Sequence, residues 1–108
     1  MPEKWIALTP LSGLEEGKVR VFKAGDVEIA LCNVDGEVYA VENVCSHDDR
    51  PLGEGTLDGT EIECPWHGAR FDVRDGRVRR MPASAPIRTF PVRVEDGQVC
   101  VALSEETQ

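Results

Sequence analysis

Two short runs, Cys45-Ser46-His47 and Cys64-Pro65-Trp66-His67, constrain this chain more than anything else in it. Each sets a cysteine beside a histidine, as Cys-x-His and Cys-x-x-His, and the two histidines are the only ones present. Two thiolates with two imidazoles suit zinc or an iron–sulfur centre, and do not suit magnesium or calcium, which take oxygen donors. The order of the ligands separates the first two. A zinc finger sets Cys close to Cys and His close to His, whereas here each thiolate is followed by an imidazole. That alternation lets both thiolates go to one iron of a [2Fe–2S] centre and both imidazoles to the other. A Cys-His nucleophile pair would use one run and leave the second unexplained. Ordinary core packing is a poor account as well, because the neighbouring Pro65-Trp66 and Gly68-Ala69 mark loops.

The segments around these runs read as strands. β-Branched and apolar residues cluster at Trp5 to Leu8, Lys18 to Lys23, Val27 to Val34, Glu37 to Val41, Glu61 to Cys64, Arg70 to Val73, Val78 to Met81, Arg88 to Val94 and Val99 to Leu103. Asp-Gly pairs at Asp35-Gly36, Asp58-Gly59, Asp75-Gly76 and Asp96-Gly97 punctuate them. Asp-Gly accepts the positive φ angles of tight hairpin turns. Val19 and Val21 alternate with Lys18 and Arg20, and Val92 and Val94 with Arg93 and Glu95, which predicts strands with one buried and one wet face. Helix signals are thin. Ser12 and Glu15 have the spacing of a capping box, but Gly13 and Gly17 leave room for one turn at most. The expectation is an all-β chain.

At 108 residues the chain is expected to form one domain, 1–108. A domain of that size has little stability to spare, and a bound metal centre would help to hold it. The net charge of −8 argues against nucleic-acid binding and against an anionic membrane surface. It fits docking on a basic protein partner. Residues 1–8 mix Glu3, Lys4 and Trp5 and do not read as a secretory leader, and no stretch of about twenty apolar residues reads as a membrane span. Cys32 and Cys100 lie in apolar strand-like runs and read as reduced, buried small residues. A cytoplasmic protein is the expectation.

Two ferric ions, two sulfides and two thiolates sum to a formal charge of about zero, and to about −1 after one-electron reduction. Four thiolates would make both states more negative, so imidazole ligation raises the potential. The second nitrogen of each ring is then free to face solvent or a partner and to exchange a proton. Ala69 and Phe71 follow His67 without a hydroxyl between them. Hydroxyl donors to cluster sulfur would stabilise the added electron, so their absence predicts a centre in the lower part of the range of about −150 to +300 mV. Pro82-Ala83-Ser84-Ala85-Pro86 is a stiff run of small residues, and such a segment could cover a cofactor and exclude water.

The stretch Cys45-Ser46-His47, Cys64-Pro65-Trp66-His67-Gly68 and Phe71-Asp72, continued by Pro82 to Pro86 and Phe90-Pro91-Val92, resembles the Rieske [2Fe–2S] domain over essentially the whole chain. The resemblance implies a fold of stacked antiparallel sheets with a small cluster-binding subdomain, at about residues 43–84, under a proline-bearing third loop. It implies that Cys45 and Cys64 ligate a buried iron, and His47 and His67 an outer iron near the protein tip. Trp66 would then serve as a partner anchor or as a lid over the cluster. Asp48 and Asp49 read as solvated loop charges. High-potential members carry a disulfide between the ligand loops, where this chain has Arg50 and Trp66. They also carry hydroxyl donors in place of Ala69 and Phe71, and a membrane anchor.

The chain therefore looks like the small Rieske-type ferredoxins, which pass single electrons from a flavin reductase to the terminal oxygenase of bacterial aromatic-ring dioxygenase systems. The implied partners are those two proteins, with the ferredoxin a monomer that has no catalytic site of its own. The alternative within the resemblance is the small subunit of an assimilatory nitrite reductase, or the donor of another multicomponent oxidoreductase. An oxygenase in its own right would need a further mononuclear iron held by two histidines and a carboxylate. No histidine remains for it.

Overall fold

A computed structural model describes residues 3–25, 27–44, 53, 55–65, 68–80 and 86–104. Cys45, His47, Trp66, His67 and Pro82 lie outside the described residues, as does Met81 at the end of one expected strand. Among the described residues eleven strands follow in order: β1 (Glu3–Pro10), β2 (Val19–Ala24), β3 (Val27–Val34), β4 (Glu37–Glu42), β5 (Thr56–Asp58), β6 (Glu61–Glu63), β7 (Arg70–Asp72), β8 (Val78–Arg80), β9 (Thr89–Phe90), β10 (Val92–Glu95) and β11 (Gln98–Ser104). They form three antiparallel sheets, with strand orders β1-β11-β10, β2-β3-β4-β9 and β5-β6-β7-β8. The all-β expectation holds, and the fold is that of stacked antiparallel sheets.

The Asp-Gly pairs close hairpins as their chemistry dictates. Asp35 and Gly36 turn β3 into β4 with φ of 53° and 94°, and Asp96 and Gly97 turn β10 into β11 with 52° and 77°. Two successive positive φ values match the right-handed twist of the flanking strands, and Asp followed by Gly tolerates them.

Strand β3 decides how the layers stack. Ile29 and Leu31 point into one apolar group with Phe90, Val99, Val101 and Leu103, and Ala30 and Cys32 into another with Ile62, Phe71 and Val73. All four of these β3 side chains are fully buried. The sheet β2-β3-β4-β9 is therefore the middle layer, with the β1-β11-β10 sheet on one face and the β5-β6-β7-β8 sheet on the other. Each fully buried Ile, Leu or Phe contributes about 1.5–3 kcal/mol from removal of apolar surface.

Three local expectations need correction, and one strand was not expected at all. The single run Arg88 to Val94 is two strands: β9 pairs with β4, β10 pairs with β11, and Pro91 divides them. Proline has no N–H to continue a ladder, so the chain changes sheets there. The Val19/Val21 and Val92/Val94 faces are not buried throughout, since Val21 is 43% and Val94 47% exposed. Both lie on edge strands, where the neighbouring layer covers only part of the face. In β2 the better-buried side runs through Phe22 and Ala24. Ser12 caps nothing: it lies inside a 3-10 turn, Leu11–Gly13, that follows Pro10 without a side-chain cap. Finally, Thr56–Asp58 forms a strand that its short, polar sequence did not announce. Among the described residues no helix is long and apolar enough to cross a membrane.

Candidate functional site

The second ligand run begins at Cys64, directly after β6. Ile62 pairs with Phe71, and Glu63 with Arg70, so the chain beyond Glu63 must reverse before Arg70. The Cys64 N–H donates to the Ala69 carbonyl at 2.7 Å, and the Gly68 N–H donates to the Cys64 carbonyl at 3.0 Å. Pro65 projects outward and is exposed, whereas Cys64, Ala69 and Phe71 are completely buried. A strand end thus sets the cysteine at the bottom of the turn, inside the apolar group between the middle sheet and the β5-β6-β7-β8 sheet.

The outer face of the same hairpin is polar. Arg70 Nε and Nη2 donate to Glu63 Oε1 at 3.1 and 2.8 Å, and Nη1 reaches Asp58 at 3.1 Å and Glu61 at 3.3 Å. Arg79 adds a contact to Glu61 at 3.4 Å. The hydrogen bonds it donates to Glu63 first, then to Asp58 and Glu61, raise the Arg70 pKa further above its ordinary value. The guanidinium is a fixed positive charge among three carboxylates, beside the root of the ligand turn.

Of the four expected ligands, only Cys64 falls among the described residues, and among those residues no group of three or more metal-ligating side chains comes together. The donor chemistry at Cys64 suits an iron–sulfur centre: a free, fully buried sulfur at a turn, flanked by Ala69 and Phe71. Both residues expected to withhold a hydroxyl are in the same buried group as Cys64, together with Ile62, Val73 and Ile87. Cys32 belongs to that group too, and burial pushes its thiol up to about 12, so it stays protonated and apolar. Cys100 is buried elsewhere, and Cys32, Cys64 and Cys100 are all free of disulfides. The third segment is described from Pro86, which is exposed; the next residue, Ile87, is buried and donates its N–H to the Gly76 carbonyl at 3.0 Å.

Sequence reasoning missed the residues that hold the roots of the loops. Glu63 precedes the second run directly and Arg70 follows it by three residues, opposite charges on either side that could have suggested a cross-strand ion pair. Asn43, two positions before Cys45, is buried at 9% exposure, and its side chain receives the Gly53 N–H at 2.6 Å. The amide character of Asn43 was the available signal, since a buried amide must find partners.

Comparison with known proteins bears directly on this arrangement. The Rieske [2Fe-2S] domain family matches residues 4–91. The ferredoxin component of the naphthalene 1,2-dioxygenase system of Pseudomonas aeruginosa is 42% identical over 104 residues, which are 96% of this chain and 100% of that protein. Among solved structures, the Sphingomonas yanoikuyae B1 ferredoxin superimposes with a TM-score of 0.88 at 36% identity, covering 94% of this chain and 100% of its own. A chain from a complex of reduced oxygenase and oxidized ferredoxin in carbazole 1,9a-dioxygenase gives 0.86 at 37% identity, with 91% and 92% coverage. A nitrite reductase small subunit from Mycobacterium tuberculosis reaches 0.85 at only 22% identity, a likeness of fold alone. The stacked sheets, the buried cysteine in its turn and the length of the match agree, and the chain belongs to the Rieske [2Fe–2S] domain family.

Proposed function

We propose that this protein is a Rieske-type ferredoxin, a carrier of single electrons from a flavin-dependent reductase to a terminal oxygenase, with no catalytic site of its own. The observation that carries the reading is the match, over the full length of the relative, to a protein named as the ferredoxin component of a dioxygenase system. A nitrite reductase subunit is disfavoured by the lower identity on that side.

Cys45 and Cys64 would hold one iron of the [2Fe–2S] cluster, and His47 and His67 the other, within a cluster-binding subdomain at about residues 43–84. The bound cluster supplies reversible one-electron chemistry. The chain's own residues do the rest. Cys64, held by its N–H bond to Ala69, offers a sulfur whose position is set by the β6–β7 ladder. Ala69 and Phe71 keep water from that sulfur and present no O–H to it, which supports a potential in the lower part of the Rieske range. His47 and His67 would form the exit for the electron, with Trp66 beside them and Pro82 and Pro86 bounding the third segment. A net charge of −8 favours docking on basic partner surfaces. The carrier acts as a cytoplasmic monomer.

Anaerobic reconstitution with iron and sulfide tests the reading. The expected product is red-brown and holds about two irons and two labile sulfides per chain. A colourless, zinc-loaded protein would refute it. Reduction by a flavin reductase should slow as salt rises, whereas rates indifferent to salt would remove the electrostatic docking.

A further inference from the structure

The two ends of the first ligand loop are joined by one buried amide. Asn43 directly follows β4, and its backbone N–H donates to the Glu28 carbonyl at 2.9 Å, extending the β3–β4 ladder by one residue. Its side chain faces two different partners. Nδ2 donates to Glu28 Oε1 at 3.0 Å, and Oδ1 accepts the Gly53 N–H at 2.6 Å. Gly53 sits so close that a Cβ there would fall on the Val21 methyl and lie 3.0 Å from Asn43 Oδ1. Residues 43 and 53 bracket Cys45 and His47, so this bond ties off the segment that contains both.

Few side chains can make this bridge. One side is an anion that needs a donor, and the other is a backbone N–H that needs an acceptor. Aspartate would serve Gly53 but set a second carboxylate against Glu28. Alanine serves neither partner, and glutamine is one methylene too long for a site already in contact on both sides.

We propose that Asn43 is a positioning residue for the metal centre, fixing the span between residues 43 and 53 so that Cys45 and His47 are presented together. The inference rests on the reading of those two residues as ligands. Outer groups that orient ligands are worth about 10- to 100-fold in metal affinity.

The test uses the full chain, reconstituted anaerobically, as wild type, Asn43→Ala, Asn43→Asp, Glu28→Gln and the double variant Asn43→Asp/Glu28→Gln. Folding is checked by circular dichroism, cluster loss by bleaching of visible absorption in a chelator, and the cluster's surroundings by its reduction potential. Asn43→Asp and Asn43→Ala are expected to bleach about tenfold faster than wild type and to show a shifted potential. Glu28→Gln alone should stay close to wild type, because its amide oxygen still accepts from Asn43. In the double variant the amide introduced at position 28 can donate to the carboxylate introduced at position 43. The bridge is then rebuilt with its polarity reversed, and both readouts should return most of the way. A role in general stability alone would not move the potential. Wild-type bleaching and potential in both Asn43 variants, or a double variant no better than Asn43→Asp, would overturn the inference and leave the ligand assignment intact. If Cys45→Ala takes up a normal cluster, the ligand reading itself falls.

Discussion

Glu63 and Arg70 stand opposite each other in the β6–β7 ladder, and Arg70 Nη2 lies 2.8 Å from Glu63 Oε1. The pair sits one residue outside Cys64 on one strand and one residue outside Ala69 on the other. The second ligand turn is thereby closed at its root twice, by backbone bonds facing the core and by an ion pair facing solvent. The first loop has a comparable closure between Asn43 and Gly53. The first closure starts one residue beyond β4 and the second lies on the ends of β6 and β7, so each loop is tied to the end of a sheet strand.

Arg70 also sets the local charge. It is shared by Asp58, Glu61 and Glu63, and its removal would leave more of their negative charge uncompensated next to the turn, with Arg79 still reaching Glu61. Negative charge disfavours the addition of an electron, so Arg70→Gln is expected to lower the reduction potential. Exposed charges are screened by salt, so the lowering should shrink at high ionic strength. Voltammetry at two salt concentrations checks both parts, and an unchanged potential at low salt would rule out the electrostatic role.

Phe71 is fully buried beside Ala69 and Cys64 in one apolar group. Phe71→Tyr places a hydroxyl there. If the hydroxyl reaches a cluster sulfur, the potential rises, because the donor stabilises the reduced state. If it finds no acceptor, the potential is unchanged and the buried, unpaired group costs about 1–3 kcal/mol of stability. Voltammetry and chemical denaturation on the same variant distinguish the outcomes; the expected one is a raised potential.

The part of this molecule that was legible in the sequence is the part governed by local chemistry. Asp35-Gly36 and Asp96-Gly97 demanded tight turns, and they make them. Ile29 to Cys32 read as a strand and proved to be buried on both faces. What escaped depended on which sheet a strand joins. Val21 and Val94 alternate with charged neighbours as core residues would, yet both are exposed, because edge strands are only partly covered. Pro91 was visible, but its role as the crossing between two sheets depends on the pairing of β9 with β4, which is distant in sequence. Asn43 and Arg70 escaped for the same reason: their partners at Glu28, Gly53 and Asp58 are brought to them by strand pairing.

Gly76 tests how the third segment is attached. It is buried at a φ of 79°, and its carbonyl receives the Ile87 N–H at 3.0 Å. A Cβ at this position would collide with the Ile87 carbonyl, which is backbone and cannot swing aside. Gly76→Ala therefore combines a strained φ with a backbone clash and should destabilise the protein by more than about 1 kcal/mol. Gly59, also at positive φ but with open space around it, is the control. Gly59→Ala carries the strain without the clash, so its denaturation midpoint should fall less. Equal losses in the two variants would mean that the approach to Ile87 contributes nothing.

Asp72 gives the protein a defined sensitivity to acid. Its side chain is buried, and it accepts from Arg74 Nε at 3.0 Å, from Nη2 at 2.8 Å and from the Arg74 backbone N–H at 3.0 Å. The side-chain hydrogen bonds from Arg74 hold its carboxyl below the ordinary carboxylate value, against burial, which acts to raise it. A folded-state pKa lower than the unfolded one stabilises the fold when the carboxylate is charged in both states. That contribution is complete above the unfolded value of about 3.9, and it is lost as pH falls through the lower folded value. Asp72→Asn keeps the shape and removes the charge. The stability gap between wild type and Asp72→Asn, measured by chemical denaturation, should be constant from neutral pH down to about pH 5 and should close below about pH 4. A gap that stays constant through the acid range would mean that the ionised form of Asp72 contributes nothing to the fold.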